Sequence, residues 1–393
     1  MRRGFRSGGW ALLVALLTAL FGQGAGLAQE SARLGGTQRL GPCAAFDRSD
    51  HAAVLLANGD WVLVVGGESQ DESLADLSAN EVRSQAEIWR IGSSTWRWAG
   101  KTRHYFEGAT ATVLQDGRVL LAGGGGTECC GGPGSRFVEV WDPEKRAWKN
   151  SGRLLQPRFQ HRAVGIGDGR VVVIGGTRTV GDPVVSLATI ELWDPKTEHW
   201  SFGEPMSVSR YLHTATGLKD GRVLVAGGYS TSAPAGLLNG SEVFDPQTGH
   251  WKPLKPMQQK RAKHEAVALH DGRVLVVAGD AHGTSEVWDP TTEQWSAAGR
   301  LKVNRYSFSA TALGNGDVLV AGGYEEKRNG VPVVAIELWD HKTSLWRPVG
   351  NLLRGRVCHT ATLLPDGRVM FVGGIRSRTE KGTSTEFWGP PVE

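Results

Sequence analysis

The chain has 393 residues, 40% of them apolar, which is enough for two or three ordinary domains with sizeable cores. Formal net charge is +4, and setting aside Arg2, Arg3 and Arg6 leaves 41 basic against 40 acidic residues. With no basic stripe, nucleic acid is excluded as the expected partner. Helix-type periodicity is absent, while glycine reaches 54 and tryptophan outnumbers tyrosine 15 to 5, which favours strands and turns.

The first 28 residues read as a signal peptide. Arg2, Arg3 and Arg6 make a basic start, Trp10 to Phe21 is a short apolar run, and Gly26-Leu27-Ala28 supplies the small residues of a cleavage site. The run is too short to span a bilayer as a stable helix. No membrane span is expected in the mature chain, 29–393, and the protein is expected to be exported: periplasmic, extracellular or associated with the cell surface.

From there one pattern recurs seven times. LLANGDWVLVVGG closes at Gly67, and its variants close at Gly124, Gly176, Gly228, Gly279, Gly323 and Gly374, so the period lies near 50 residues. An even period of this size is a repeat architecture. In the last copy, His359-Thr360-Ala361-Thr362 is short and small-sided, as suits a crowded inner strand. Asp366-Gly367 is expected to supply the positive-φ positions of a tight hairpin. Arg368 to Val372 reads as a strand buried on both faces, and paired glycines follow where backbone must turn or pass close to a neighbour. A third strand carries Glu and an aromatic residue (Glu139-Val140-Trp141, Glu191-Leu192-Trp193), and a second Trp seven residues later marks a fourth strand (Trp141/Trp148, Trp193/Trp200, Trp339/Trp346).

Seven such units would expose many strand edges as separate sheets, whereas radial stacking covers the edges and lets the aromatic pairs fill the gaps between blades. The Asp-Gly-Arg hairpin, the double glycine and the spaced tryptophans resemble kelch repeats over residues 31 to 393, and most closely the kelch propeller of the galactose oxidase type. The resemblance implies an all-β, seven-bladed kelch β-propeller. The last repeat stops at Glu386-Phe387-Trp388 without a fourth-strand Trp, so an N-terminal strand over about residues 31–38 is expected to complete it and close the ring, with Leu34 in the Trp place.

In a four-stranded meander the loops after strands two and four share a face, and the tight turns share the other. The loops after the double glycine vary most, which makes that face the candidate binding face. It also carries a repeated Arg-x-x-His: Arg48/His51, Arg158/His161, Arg210/His213, Arg261/His264 and Arg356/His359. Recurrence in nearly every blade favours architecture, with the arginines paired to Glu87, Glu139, Glu191, Glu242, Glu286, Glu337 and Glu386. Residues three apart on a strand point to opposite sides, so Arg and His cannot both face the channel without a bend. Departures from the pattern are the better functional candidates: Arg103-His104-Tyr105 ahead of Phe106 and Ala109, Arg305-Tyr306-Ser307-Phe308, and the long loops Glu68 to Ala86 and Gly125 to Gly132.

Cys43 and Cys358 both lie in loops between strands four and one, in the first and last blades. A Cys43–Cys358 disulfide is therefore expected to staple the seam; Cys129 and Cys130 are adjacent, and a bridge between them would be strained. The copper site of the galactose oxidase type resembles a Tyr-His pair at the start of an inner strand. Here that step is Cys358-His359, so the tyrosine ligand is missing. No metal and no cofactor are expected, copper entering only under an alternative reading as a carbohydrate-active or copper-dependent oxidase. The leading expectation is a monomeric, secreted, non-catalytic binding module for a protein or glycan ligand.

Overall fold

The apolar runs are about four residues long, rich in Val, Leu and Ile, and bounded by Asp-Gly on one side and Gly-Gly on the other, so they form short strands. A computed structural model describes residues 36–40, 48–68, 84–125, 134–179, 183–232, 235–325, 331–375 and 385–389. Among these residues there are strands and turns but no helix, hence none long and apolar enough to cross a membrane. The leader, Cys43, Cys129, Cys130 and most of the Glu68–Ala86 and Gly125–Gly132 loops lie outside the described residues.

Seven four-stranded antiparallel sheets follow one another along the chain. Blade 4 shows the pattern, with Thr214–Gly217, Val223–Ala226, Ser241–Asp245 and His250–Pro253 paired in chain order. The other blades span residues 52–101, 110–158, 162–202, 265–300, 309–351 and 360–389. The first strand of each blade lies against the first strands of both neighbours, and Ala52–Leu55 meets Thr360–Leu363. The chain is thus a closed seven-bladed propeller around a central channel.

Second strands form the dry centre of each blade: Val171–Ile174 and Val274–Val277 are wholly buried. The tryptophans fill the gaps between blades. Trp141 and Trp193 are inaccessible to solvent, and each joins a core cluster with the preceding blade. Trp141 Nε1 donates to Ala99 O of blade 1 (3.0 Å), so its polar edge is satisfied across the seam.

The Asp-Gly-Arg hairpin works differently from the expectation. Of the two central residues only Gly367 has a positive φ (84°). Asp366 acts through its carboxylate instead, accepting from Arg368 N (3.0 Å) and Arg368 Nε (2.9 Å). The double glycine is required by close approach: a Cβ on Gly373 would lie 2.2 Å from Arg48 O in the next blade around the ring.

An N-terminal strand does complete the last blade, but it is Gly36–Leu40, antiparallel to Thr385–Gly389. Of the expected 31–38 segment, 36–38 fall within it and 31–35 lie outside the described residues. The register places Thr37, not Leu34, opposite Trp388. The count rests on Leu40 as the residue six after the place assigned to Trp, whereas Leu40 lies within the paired strand, opposite Glu386, and not beyond its end.

Candidate functional site

The repeated Arg-x-x-His is a two-part clamp, and its bend is visible. Between each Arg and His sits a residue in the left-handed region: Asp50 (φ 52°), Gln160 (53°), Leu212 (54°), Lys263 (53°) and Cys358 (54°). Ser307 (51°) and Gly108 (59°) hold the same place in the two blades that lack the His. This turn sends the arginine back into its own blade and the histidine into the seam with the blade before it.

The arginines Arg48, Arg158, Arg210, Arg261, Arg305 and Arg356 are buried, each paired with the third-strand glutamate of its blade. Nη2–carboxylate distances are 2.8 Å for Arg48–Glu87, 2.5 Å for Arg158–Glu191, 2.7 Å for Arg210–Glu242, 2.6 Å for Arg261–Glu286 and 2.7 Å for Arg305–Glu337, and Arg356 pairs with Glu386. Nη1 donates to the first glycine of the pair, as in Arg158 to Gly175 O (2.8 Å). The glutamate also accepts backbone N–H groups from the segment that leads into the blade, as Glu191 does from Leu155 and Gln156 near the end of the preceding blade's outer strand (2.6 and 3.0 Å). One ion pair therefore ties three chain segments together. Replacing Glu191 with Gln should cost about 3–5 kcal/mol, because it leaves a buried guanidinium uncompensated. Urea unfolding measures this, and a loss within 1 kcal/mol would show that the pair carries little.

Blade 2 reaches the same end by another route. Phe106 fills the arginine's place, and Glu139 pairs instead with His104 Nδ1 (2.9 Å), whose ring stacks on Phe137 with centroids 3.7 Å apart. His104, singled out from sequence as a departure, is held within the scaffold. Its neighbours Arg103 and Tyr105 are exposed.

The histidines bridge blades. A hydroxyl at the head of one inner strand meets Nε2 of the histidine in the next blade: Thr360 with His51 (2.8 Å), Thr110 with His161 (3.0 Å), Thr214 with His264 (3.1 Å) and Ser309 with His359 (2.9 Å). Burial, reinforced by the adjacent arginine, holds His51 and His161 down at about 3 and His213, His264 and His359 well below their ordinary value. Among the described residues no group of three or more His, Cys, Asp or Glu side chains could hold a metal ion.

What remains individual is the residue before each histidine place. Asp50, Gly108, Gln160, Leu212, Lys263, Ser307 and Cys358 stand at equivalent backbone positions and ring the channel mouth, lining a cavity of ≈ 240 Å³. Main-chain hydrogen bonds link them around the rim: Gly108 N to Asp50 O (2.8 Å), Lys263 N to Leu212 O (3.1 Å), Cys358 N to Ser307 O (3.3 Å) and Asp50 N to Cys358 O (3.1 Å). Cys358, and Ser307 as part of Arg305-Tyr306-Ser307-Phe308, drew notice from sequence; the signal for the rest was their fixed place one residue ahead of the histidine position.

All five tyrosines also lie in the connections of this face: Tyr105, Tyr211, Tyr306 and Tyr324, and Tyr229 in a two-residue strand paired with Gly236–Leu237. Tyr105 and Tyr229 are 49% and 38% exposed. Tyr211 meets Tyr229 at 5.6 Å and Tyr306 meets Tyr324 at 5.7 Å. Lys263 reaches over the Tyr324 ring, 5.9 Å from its centroid. Beside them, where the blade 5 loop is short, a hollow of ≈ 760 Å³ opens among His282, Arg300, Lys302, Asn304 and Glu325.

Comparison with known proteins agrees with this architecture. A family model described as the KLHDC2/KLHL20/DRC7 Kelch-repeats domain matches residues 108–323, more than half of the chain. The chain belongs to the Kelch-repeat family. Kelch-like protein 23 of Homo sapiens is 31% identical over 144 residues, covering 36% of this chain and 24% of that protein. Kelch-like protein 36 of Mus musculus is 25% identical over 229 residues (58% and 35%), and alpha-scruin of Limulus polyphemus 26% over 244 (59% and 24%). The chain thus matches between about a quarter and a third of the length of these Kelch relatives. Among solved structures, a fungal alcohol oxidase of the AA5 family in complex with copper superposes with a TM-score of 0.68 at 17% identity, covering 91% of this chain and 77% of that one. YjhT superposes with 0.57 at 15% identity, covering 78% and 99%. At these identities the likeness is one of fold.

Proposed function

We propose that this Kelch propeller is an exported, non-catalytic, monomeric binding module that engages a protein or glycan through the loop face at its channel mouth. The observation that carries the reading is the segregation of aromatic residues. Most tryptophans pack between blades, whereas all five tyrosines sit on one face, four of them in the pairs Tyr211–Tyr229 and Tyr306–Tyr324, with Lys263 over Tyr324. Tyrosine combines a large apolar ring with a polar tip, which is why it is enriched at contact hot spots. The same face presents chemically different side chains at equivalent rim positions, as discrimination between ligands requires. Kinship with Kelch-like proteins favours a protein partner, and the leader over residues 1–28 supports export.

The test is a screen of the purified mature protein against displayed peptides and a glycan array. It is repeated with Tyr211→Ala/Tyr229→Ala and with Lys149→Ala, which alters the outer strand of blade 2. The tyrosine variant should lose at least tenfold in affinity and the lysine variant should match the parent. Binding that ignores the tyrosines would overturn the assignment of the face. Stoichiometric copper in the exported protein, with oxidation of a sugar alcohol, would overturn the non-catalytic reading.

A further inference from the structure

The matching of hydroxyl to histidine around the ring holds wherever a histidine exists, except at one junction. Blades 2 and 6 have Ala109 and Phe308 in the histidine place, and the inner strands before them begin with Ala52 and Glu265, where no hydroxyl is needed. Blade 4 has His213, yet the strand before it begins with Arg162. Both ring nitrogens of His213 are buried, and among the described residues neither has a hydrogen-bond partner. Leaving a buried polar group unsatisfied costs stability, and a local rule broken at such a cost marks a position selected for something else.

Arg162 and Glu265 both line the channel cavity, two blades apart. Arg162 Nε donates to His213 O (3.0 Å), and among the described residues its two terminal nitrogens have no hydrogen-bond partner. The Glu265 carboxylate likewise accepts no hydrogen bond from a described residue, and no ion pair joins the two side chains. They are near enough for the guanidinium to oppose the upward push that burial exerts on the carboxyl. Arg162 and Glu265 thus face one small lumen without touching; of the other charged side chains that line it, Lys263 reaches over Tyr324 and Asp50 stands on the rim. Each can be desolvated favourably only by a group of the other sign. At ≈ 240 Å³ the cavity is smaller than a drug-sized site, so its occupant is small.

We propose that the channel lumen binds a small zwitterion, a molecule with a carboxylate and an ammonium group a few bonds apart, its carboxylate held by Arg162 and its ammonium by Glu265. The site lies beneath the loop face and stands independently of the macromolecular ligand assigned there.

Isothermal titration of the mature protein tests it with glycine, β-alanine and γ-aminobutyrate, each beside its acid-only and amine-only counterparts (acetate and methylamine, propionate and ethylamine, butyrate and propylamine). At least one zwitterion should bind tenfold or more tightly than both counterparts. Arg162→Thr and Glu265→Gln should each abolish that preference. Arg162→Thr should also raise the melting temperature, because a threonine hydroxyl gives His213 the partner its counterparts have. Should that variant fail to fold, Arg162→Gln carries the same binding test. Zwitterions bound no better than their counterparts, or a preference that survives loss of Arg162, would overturn the proposal. Tyr211→Ala/Tyr229→Ala should leave zwitterion binding intact, which separates this site's failure from that of the face.

Discussion

Deleting residues 29–40 should lower the melting temperature of the whole propeller by roughly 10 °C or more. The expected size follows from where Gly36–Leu40 sits. It pairs with Thr385–Gly389 and so joins the two ends of the chain inside a single blade. Without it, the strand carrying Glu386, Phe387 and Trp388 becomes an edge, and three buried side chains lose their cover. Glu386 in turn holds Arg356, whose Nη1 donates to Gly373 O (2.8 Å), so the loss spreads inward to the rim. In a repeat ring each unit is stabilised mainly by its neighbours, and weakening the seam weakens both sides. A deletion of 29–34 is the control, since it spares the paired segment and should melt like the parent. Calorimetry on both truncations decides the matter: an unchanged transition after removal of 29–40 would show that the ring does not depend on this closure.

Acidification should destabilise the protein steeply, starting near neutrality. His51, His161, His213, His264 and His359 are buried, with pKa values held at about 3 or well below the ordinary value. In the unfolded chain they titrate near 6.5. Above that pH both states are neutral at these sites and stability is unaffected. As pH falls below about 6.5 the unfolded state takes up protons that the folded state refuses, so stability falls, and it keeps falling until the folded value is reached. At pH 5 the penalty is about 2 kcal/mol per histidine, or roughly 10 kcal/mol for the five. Denaturant unfolding between pH 7 and pH 5 should show this loss, with about five protons taken up per molecule near pH 5. A flat profile over that interval would mean that the histidines are protonated within the folded ring.

Much of the scaffold was legible from local chemistry. The seven Asp-Gly or Asn-Gly turns, the double glycines and the spaced tryptophans each depend on contacts made within one repeat or with an adjacent one, so their recurrence exposed them. The pairing of Arg158 with Glu191 and its equivalents was also foreseeable, because an arginine buried in nearly every blade needs an acid beside it. The turn between Arg and His was foreseen only as a geometric necessity. Nothing in the residue types Gln160, Leu212 or Lys263 announces a left-handed backbone, since such residues normally avoid it. His104 shows the opposite failure. Its departure from the repeat suggested a ligand contact, whereas Glu139 needed a cationic or hydrogen-bonding partner once Phe106 had taken the arginine's place.

By itself, then, the sequence determined the number of blades, the order of strands and the face on which the variable loops gather, because hairpin turns, short apolar strands and glycine pairs are specified by neighbours a few residues away. Tertiary structure alone decided which side chains meet at the channel. The seven rim residues come one from each repeat, and Arg162 and Glu265 from repeats about a hundred residues apart, so they converge only when the ring closes. Closure also decides which histidines find a hydroxyl across the seam and leaves His213 without one.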